Sequence, residues 1–118
     1  RRMKPLKHAE NSVRKHGGKV DDYLMIHNFL DSSKALVPDM RHRALYHHSA
    51  GCFLAEQLYG VYFENSDGKM ISTRDIAEEH VIEDMGTIPT PQDYLKGMPL
   101  YNWLGGRVAT VTKYSLVD

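Results

Sequence analysis

The chain has a single cysteine, Cys52, so no disulfide can form within it, and that usage suits a reducing compartment. Charge of one sign is also missing. Fifteen Lys and Arg are matched by fifteen Asp and Glu, so the formal net charge is zero with neutral histidines. That balance removes any global attraction to nucleic acid or to an acidic membrane. No apolar run approaches the roughly 20 residues that span a bilayer. No signal-peptide pattern opens the chain. The sequence therefore reads as a cytoplasmic protein. It also lacks a glycine-rich phosphate loop, internal repeats and low-complexity segments, and Asn65-Ser66-Asp67-Gly68 suits a turn better than a calcium loop. One local exception to the charge balance lies before residue 20, where Arg1, Arg2, Lys4, Lys7, Arg14, Lys15 and Lys19 face Glu10 alone. Short basic ends of this kind are ordinarily solvated, and nucleic acid is not an expected partner.

What the sequence has in excess is histidine, seven in 118 residues, in a chain of one-domain length whose 42% hydrophobic content supports a modest core. The organising stretch is 38–60, PDMRHRALYHHSAGCFLAEQLYG. Pro38 stands where a helix begins, Asp39 complements the positive end of the helix dipole, and Gly60 stands where a left-handed cap ends it. Met40, Ala44, Gly51, Ala55 and Leu58 recur at helical spacing, and the expectation is one long helix with this stripe turned inward. His47 and His48 fall in the middle of the stripe, among the small residues Ala44, Gly51 and Cys52.

Two helices are expected before this stretch. Residues 4–16 carry Leu6, Ala9 and Val13 on one face and end at Gly17-Gly18, with His8 and Ser12 sharing a side. His8 and His16 read as surface residues. A second helix starts at Asp21 or Asp22 and runs to about Ser33, burying Tyr23, Ile26, Leu30 and Phe29. After Gly60, VYFE and KMIS around Asn65–Gly68 give a hairpin, at about 61–72. Ser72 or Thr73 caps a helix closed by Gly86, with Ile76, Ala77, Val81 and Met85 inward. Thr90-Pro91 starts a short helix. Leu100, Tyr101, Trp103 and Leu104 form a lid or an interface, and the weakly alternating tail after them suits an edge strand or an oligomer contact. The fold class is thus α+β, mainly α: a helical bundle around one long central helix, with a single hairpin. Residues 1–96 form the domain and 97–118 a C-terminal segment, a candidate homo-oligomer contact.

Chemistry enters through spacing. His27/Asp31 and His80/Asp84 are each four residues apart, hence one turn apart on separate helices. A third helix supplies His47 and His48. Imidazole nitrogen with carboxylate oxygen suits zinc, manganese or iron, and bundle metal sites are built from side chains on facing helices. The candidate ligand set is His27, Asp31, His47, His48, His80 and Asp84. A metal bound there lowers the pKa of a coordinated water for hydrolysis. A histidine one turn from an aspartate is equally a way to satisfy a buried imidazole, which is the structural alternative. His42 points more than about 100° from His47 and His48 on an ideal helix and ranks lower. Arg41, Arg43 and Arg74, with Lys34 beside them, are candidate contacts to a phosphorylated ligand, or else partners of nearby carboxylates. Cys52 reads as a small core residue.

The pieces HAENSVRKHGGKVDDYLMIHNFLDSSK, RHRALYHHSAGCFLAEQLYG and NSDGKMISTRDIAEEHVIEDMGTIPTPQDYL, which cover most of residues 8–95, resemble a family of small uncharacterised proteins widespread in bacteriophage and bacterial genomes. The resemblance implies a phage or prophage source, and hence the host-cell cytoplasm, more than it implies a reaction. A looser likeness is to HD-type metal phosphohydrolases, with His42 of RHRA in the place of their first histidine; no His here is followed directly by Asp. The leading expectation is a phage-type metal-binding protein, with hydrolysis of a phosphorylated substrate as its candidate activity. The competing one is a non-enzymatic adaptor or host-interaction module that docks through the C-terminal aromatic segment.

Overall fold

The computed structural model describes residues 3–105; Arg1, Arg2 and the tail expected as an edge strand lie outside the described residues. Local sequence accounts for each element in turn. Pro5 takes the first position of α1 (Pro5–His16), where its missing N–H costs nothing, and Gly17 ends the helix at φ 80° with its N–H on Val13 O. In α2 (Val20–Asp31) the Asp22 carboxylate reaches back to the Lys19 N–H, an orphan donor of the first turn. Ser72 caps α5 (Thr73–Met85) by accepting from the Asp75 N–H, and Gly86 closes it in the left-handed region at φ 78°. Thr90 and Pro91 open α6 (Pro91–Leu95) as their chemistry dictates. The hairpin pairs β1 (Tyr62–Glu64) with β2 (Met70–Ser72) antiparallel, Phe63 opposite Ile71.

The expected long central helix is not there. Residues 38–60 fold instead as a 3-10 turn (Met40–His42), a single turn α3 (Arg43–Tyr46) and then α4 (Ser49–Tyr59). The chain corners at His47, whose φ and ψ are −84° and 65°, and His48 is extended at −162° and 175°. The corner has its own hydrogen bonds. The His48 N–H donates to Tyr46 O (2.9 Å), the Ser49 N–H to Pro89 O (2.8 Å), and the His48 ring accepts the Gly51 N–H (3.0 Å), capping α4. Gly51 is essential to its tightness, because a Cβ there would stand 1.8 Å from the Tyr46 carbonyl oxygen. The apolar period that suggested one helix is the sum of two short faces. Gly51 and Ala55 are buried, whereas Met40 and Leu58 are exposed.

Helices α1, α2, α4 and α5 pack around a small apolar core of Ala9, Tyr23, Ile26, Leu30, Cys52, Ala55, Ile71, Ile76, Ala77 and Val81. The hairpin turn is tied to the α1–α2 turn. Asp67 accepts from the Gly18 N–H, Asp22 accepts from Ser66, and the buried Asn65 donates to His16 O and Tyr23 Oη. Leu6, expected inward, is exposed, and α1 buries His8, Ala9 and Ser12 instead. Tyr101, Trp103 and Leu104 are exposed, with the first two rings stacked at 5.1 Å. No helix among the described residues is long and apolar enough to cross a membrane.

Candidate metal centre

Beside the apolar core lies a second, polar one. Asp31 comes from the last turn of α2, His47 from the corner before α4, and His80 and Asp84 from successive turns of α5. The corner presents His47 because its own carbonyl is held by the Tyr94 hydroxyl at 2.8 Å. All four side chains are buried, and each turns one atom to a common point. His47 Nε2 stands 3.1 Å from Asp84 Oδ2, 3.4 Å from Asp31 Oδ1 and 3.2 Å from His80 Nε2. His80 Nε2 stands 3.2 Å from Asp31 Oδ1 and 3.3 Å from Asp84 Oδ2.

Those lengths are informative. Zinc–nitrogen and zinc–oxygen bonds of about 2.0–2.2 Å in a tetrahedron set neighbouring ligand atoms about 3.3–3.6 Å apart. Five of the six edges of the Asp31, His47, His80, Asp84 cage measure 3.1–3.4 Å. Protons on the two imidazoles could pair them with one carboxylate each, but a divalent cation satisfies all four atoms together and neutralises the two buried charges. The outer oxygens meet cations of the protein: Lys34 Nζ is 3.7 Å from Asp31 Oδ2, and Arg43 Nη2 is 4.0 Å from Asp84 Oδ1.

Next to the cage, three rings form a layer. His8 stacks on His80 with centroids 3.7 Å apart and lies nearly parallel to His27. His8, His27 and His80 could also group around an ion. Here, however, the contacts are pairwise. His8 Nδ1 meets Glu83 Oε1 at 2.6 Å and its Nε2 meets Asp84 Oδ1 at 3.1 Å, so both its nitrogens donate and the ring is an imidazolium. Burial alone would push its pKa down; the hydrogen bonds to Asp84 and Glu83 outweigh that and raise it to about 9. His27 has no carboxylate in hydrogen-bond contact among the described residues, and burial with the neighbouring His80 and His8 rings drives its pKa down to about 2. Burial would raise Asp31 and Asp84, but hydrogen bonds with His47 and His80, and for Asp84 also with His8, hold both carboxyls well below the ordinary range. Burial opposes a charge on His47, and its two aspartates prevail and raise its pKa.

Of the residues predicted from spacing, the cage unites Asp31, His47, His80 and Asp84. His27 lies behind His80 rather than in the cage. His48 is turned away, its ring spent on the backbone of its own corner: Nδ1 takes the Gly51 N–H and Nε2 faces the Ala44 and Leu45 carbonyls. Two residues read as surface are not. His8 is wholly buried, and His16 is half-buried against Glu79. The His8/Ser12 spacing, the same one-turn interval as the two His–Asp pairs, was the available sign. His42 is buried too, 2.9 Å from Ser33 Oγ and edge-on to His47. Among the arginines only Arg43 approaches the site; Arg41 pairs with Asp39 and Arg74 with Glu56.

A cage of two imidazoles and two carboxylates on facing helices defines a helical protein with a candidate metal centre, and His80 and Asp84 are the pair about which the rest is arranged. The chain belongs to the family described as Domain of unknown function (DUF6915), whose model matches residues 3–104. No curated protein and no solved structure matches it.

Proposed function

We propose that this protein binds one divalent transition metal ion, zinc, manganese or iron, through Asp31, His47, His80 and Asp84. The observation that carries the reading is the set of five tetrahedral edges of 3.1–3.4 Å among four buried ligand atoms. Its catalytic form is a metal-dependent hydrolase of a phosphorylated substrate. Lys34 and Arg43 support that form, two cations at the outer oxygens of the carboxylate ligands. Four protein ligands complete a tetrahedron, so hydrolysis requires a fifth position or the release of one ligand to water. Asp31 is the natural place, since it ends α2 beside the half-exposed Lys34. With the phage-type source that the resemblance implies, the protein acts in the host-cell cytoplasm.

The test is the metal content of protein purified without a tag or added metal, followed by zinc titration. The reading expects one ion per chain, lost in Asp84→Asn and in His80→Ala while helical content stays near native, and kept in His48→Ala. Protein that neither carries nor acquires metal leaves the cage as a hydrogen-bonded network and ends the hydrolase reading. Phosphate release from phosphate esters by the loaded protein, abolished in Asp84→Asn, tests the catalytic form.

A second reading, a non-enzymatic docking module, is favoured by the exposed Tyr101–Trp103 stack. Removing residues 97–118 tests it. Self-association or partner binding lost with metal content unchanged supports docking through this segment.

A further inference from the structure

The hydrogen-bond chain behind the cage has a direction, and that direction bears on the cage. Ser12 Oγ donates its only proton to His8 O at 3.2 Å, the carbonyl one turn earlier in α1. Towards His27 Nε2, 2.8 Å away, the hydroxyl is therefore the acceptor, and Nε2 carries a hydrogen. His27 is wholly buried, and its two hydrogen-bond partners among the described residues, Ser12 and His80, are both uncharged in this chain. A neutral imidazole has one ring proton, so His27 Nδ1 offers a lone pair. It meets His80 Nδ1 at 2.9 Å, and there His80 must donate. With its proton on Nδ1, neutral His80 turns the Nε2 lone pair towards Asp31 Oδ1, Asp84 Oδ2 and His47 Nε2. A lone pair aimed at two carboxylate oxygens 3.2 and 3.3 Å away is repulsive until a cation lies among them. The His8 ring, stacked at 3.7 Å, restrains the tilt of His80 and leaves its edge free for both roles.

We propose that Ser12 and His27 are positioning residues of the metal centre, which hold the Nδ1 proton of His80 and so present its Nε2 as a ligand. The proposal rests on the metal reading above and deepens it. Ligating histidines generally donate their other N–H to a carboxylate, carbonyl or water; here the acceptor is a third-helix histidine, itself oriented by a serine. His27 thus takes part in the centre from behind rather than as a ligand.

The experiment is zinc affinity by chelator competition in wild-type protein, His27→Leu and His27→Gln, with the tautomer of His80 read by nitrogen-15 NMR of the zinc-loaded wild type. His27→Leu removes the acceptor and should weaken zinc binding about 10–100-fold at unchanged stoichiometry, the range for loss of such a partner. His27→Gln, whose amide oxygen can accept from Nδ1–H while its NH2 faces Ser12, should recover most of that loss. The NMR spectrum should show His80 protonated at Nδ1 and metal-bound through Nε2, and it needs no variant to fold. Zinc bound through His80 Nδ1, or equal affinity in folded His27→Leu, overturns the positioning role alone. Wild-type protein that takes up no zinc overturns the metal centre and this proposal with it.

Discussion

Gly51→Ala is the substitution that most directly connects the fold to the site. The added Cβ would stand 1.8 Å from Tyr46 O, 2.6 Å from Tyr46 C and 2.8 Å from Tyr46 Cα. A carbon–oxygen contact needs about 3.2 Å, so the corner must open by more than about 1 Å, and the obstacle is backbone rather than a movable side chain. Opening it sacrifices the Tyr46 O to His48 N–H bond and the ring cap on Gly51 N–H, and it moves His47, whose ring is one wall of the cage. We expect a loss of about 4 kcal/mol or more, in the range reserved for overpacking and broken networks. The variant that still folds should bind zinc at least tenfold more weakly, because metal ligands tolerate displacements of only about 0.2 Å. Urea unfolding and chelator competition measure the two effects. Ala50→Gly is the control: Ala50 is exposed in the same turn of α4, and its cost should be about 1 kcal/mol with metal affinity unchanged. Stability and zinc affinity of Gly51→Ala within error of wild type would refute the account of the corner and its part in placing His47.

Two further outcomes follow from the buried polar groups. His8 has a pKa raised from 6.5 to about 9, so its contribution to stability is full below about pH 6.5 and is lost as pH rises through about 9. The stability difference between metal-free wild type and His8→Gln should therefore be larger at about pH 6 than at about pH 10, by up to about 3 kcal/mol; equal differences by urea unfolding at both values would contradict the imidazolium assignment. Cys52 is buried and its thiol is pushed up to about 12, chiefly by burial, so a disulfide reagent at neutral pH should label it only at the rate of unfolding. Rapid labelling of the folded protein would show that α4 opens locally.

Local chemistry in the sequence was enough for the ends of most elements. Gly17, Gly86, Ser72, Thr90-Pro91 and the Asn65–Gly68 turn each act through backbone geometry or one hydrogen bond, and each stands where it was expected. The break at His47–His48 was not legible, because nothing in LYHHSAG forbids a helix; the corner is set by contacts with Pro89 and Tyr94, some 40 residues away. The His-x-x-x-Asp pairs pointed to three of the four cage residues together with His27, and the His47-His48 pair to the fourth. Which member of each pair faces inward depends on how α2 and α5 cross. His8 escaped for a related reason. An apolar-face reading of α1 selects Leu6 and Val13, but the surface that α1 covers is itself polar, so the helix buries a histidine and a serine against it.

The composition of the interior has a thermal consequence. His8, His27, His42, His47 and His80 are five of the twelve largest fully buried side chains, in a place where most domains keep leucine and phenylalanine. Exposing apolar surface on unfolding raises the heat capacity, and exposing polar surface lowers it. A core with this share of imidazole and carboxylate should unfold with a heat-capacity increment below the usual 12–15 cal/mol/K per residue (about that range in ordinary domains). The curvature of stability against temperature is then shallow. Cooling costs this molecule less than it costs a protein held together by hydrocarbon alone, and its stability changes slowly over the range in which a cell lives.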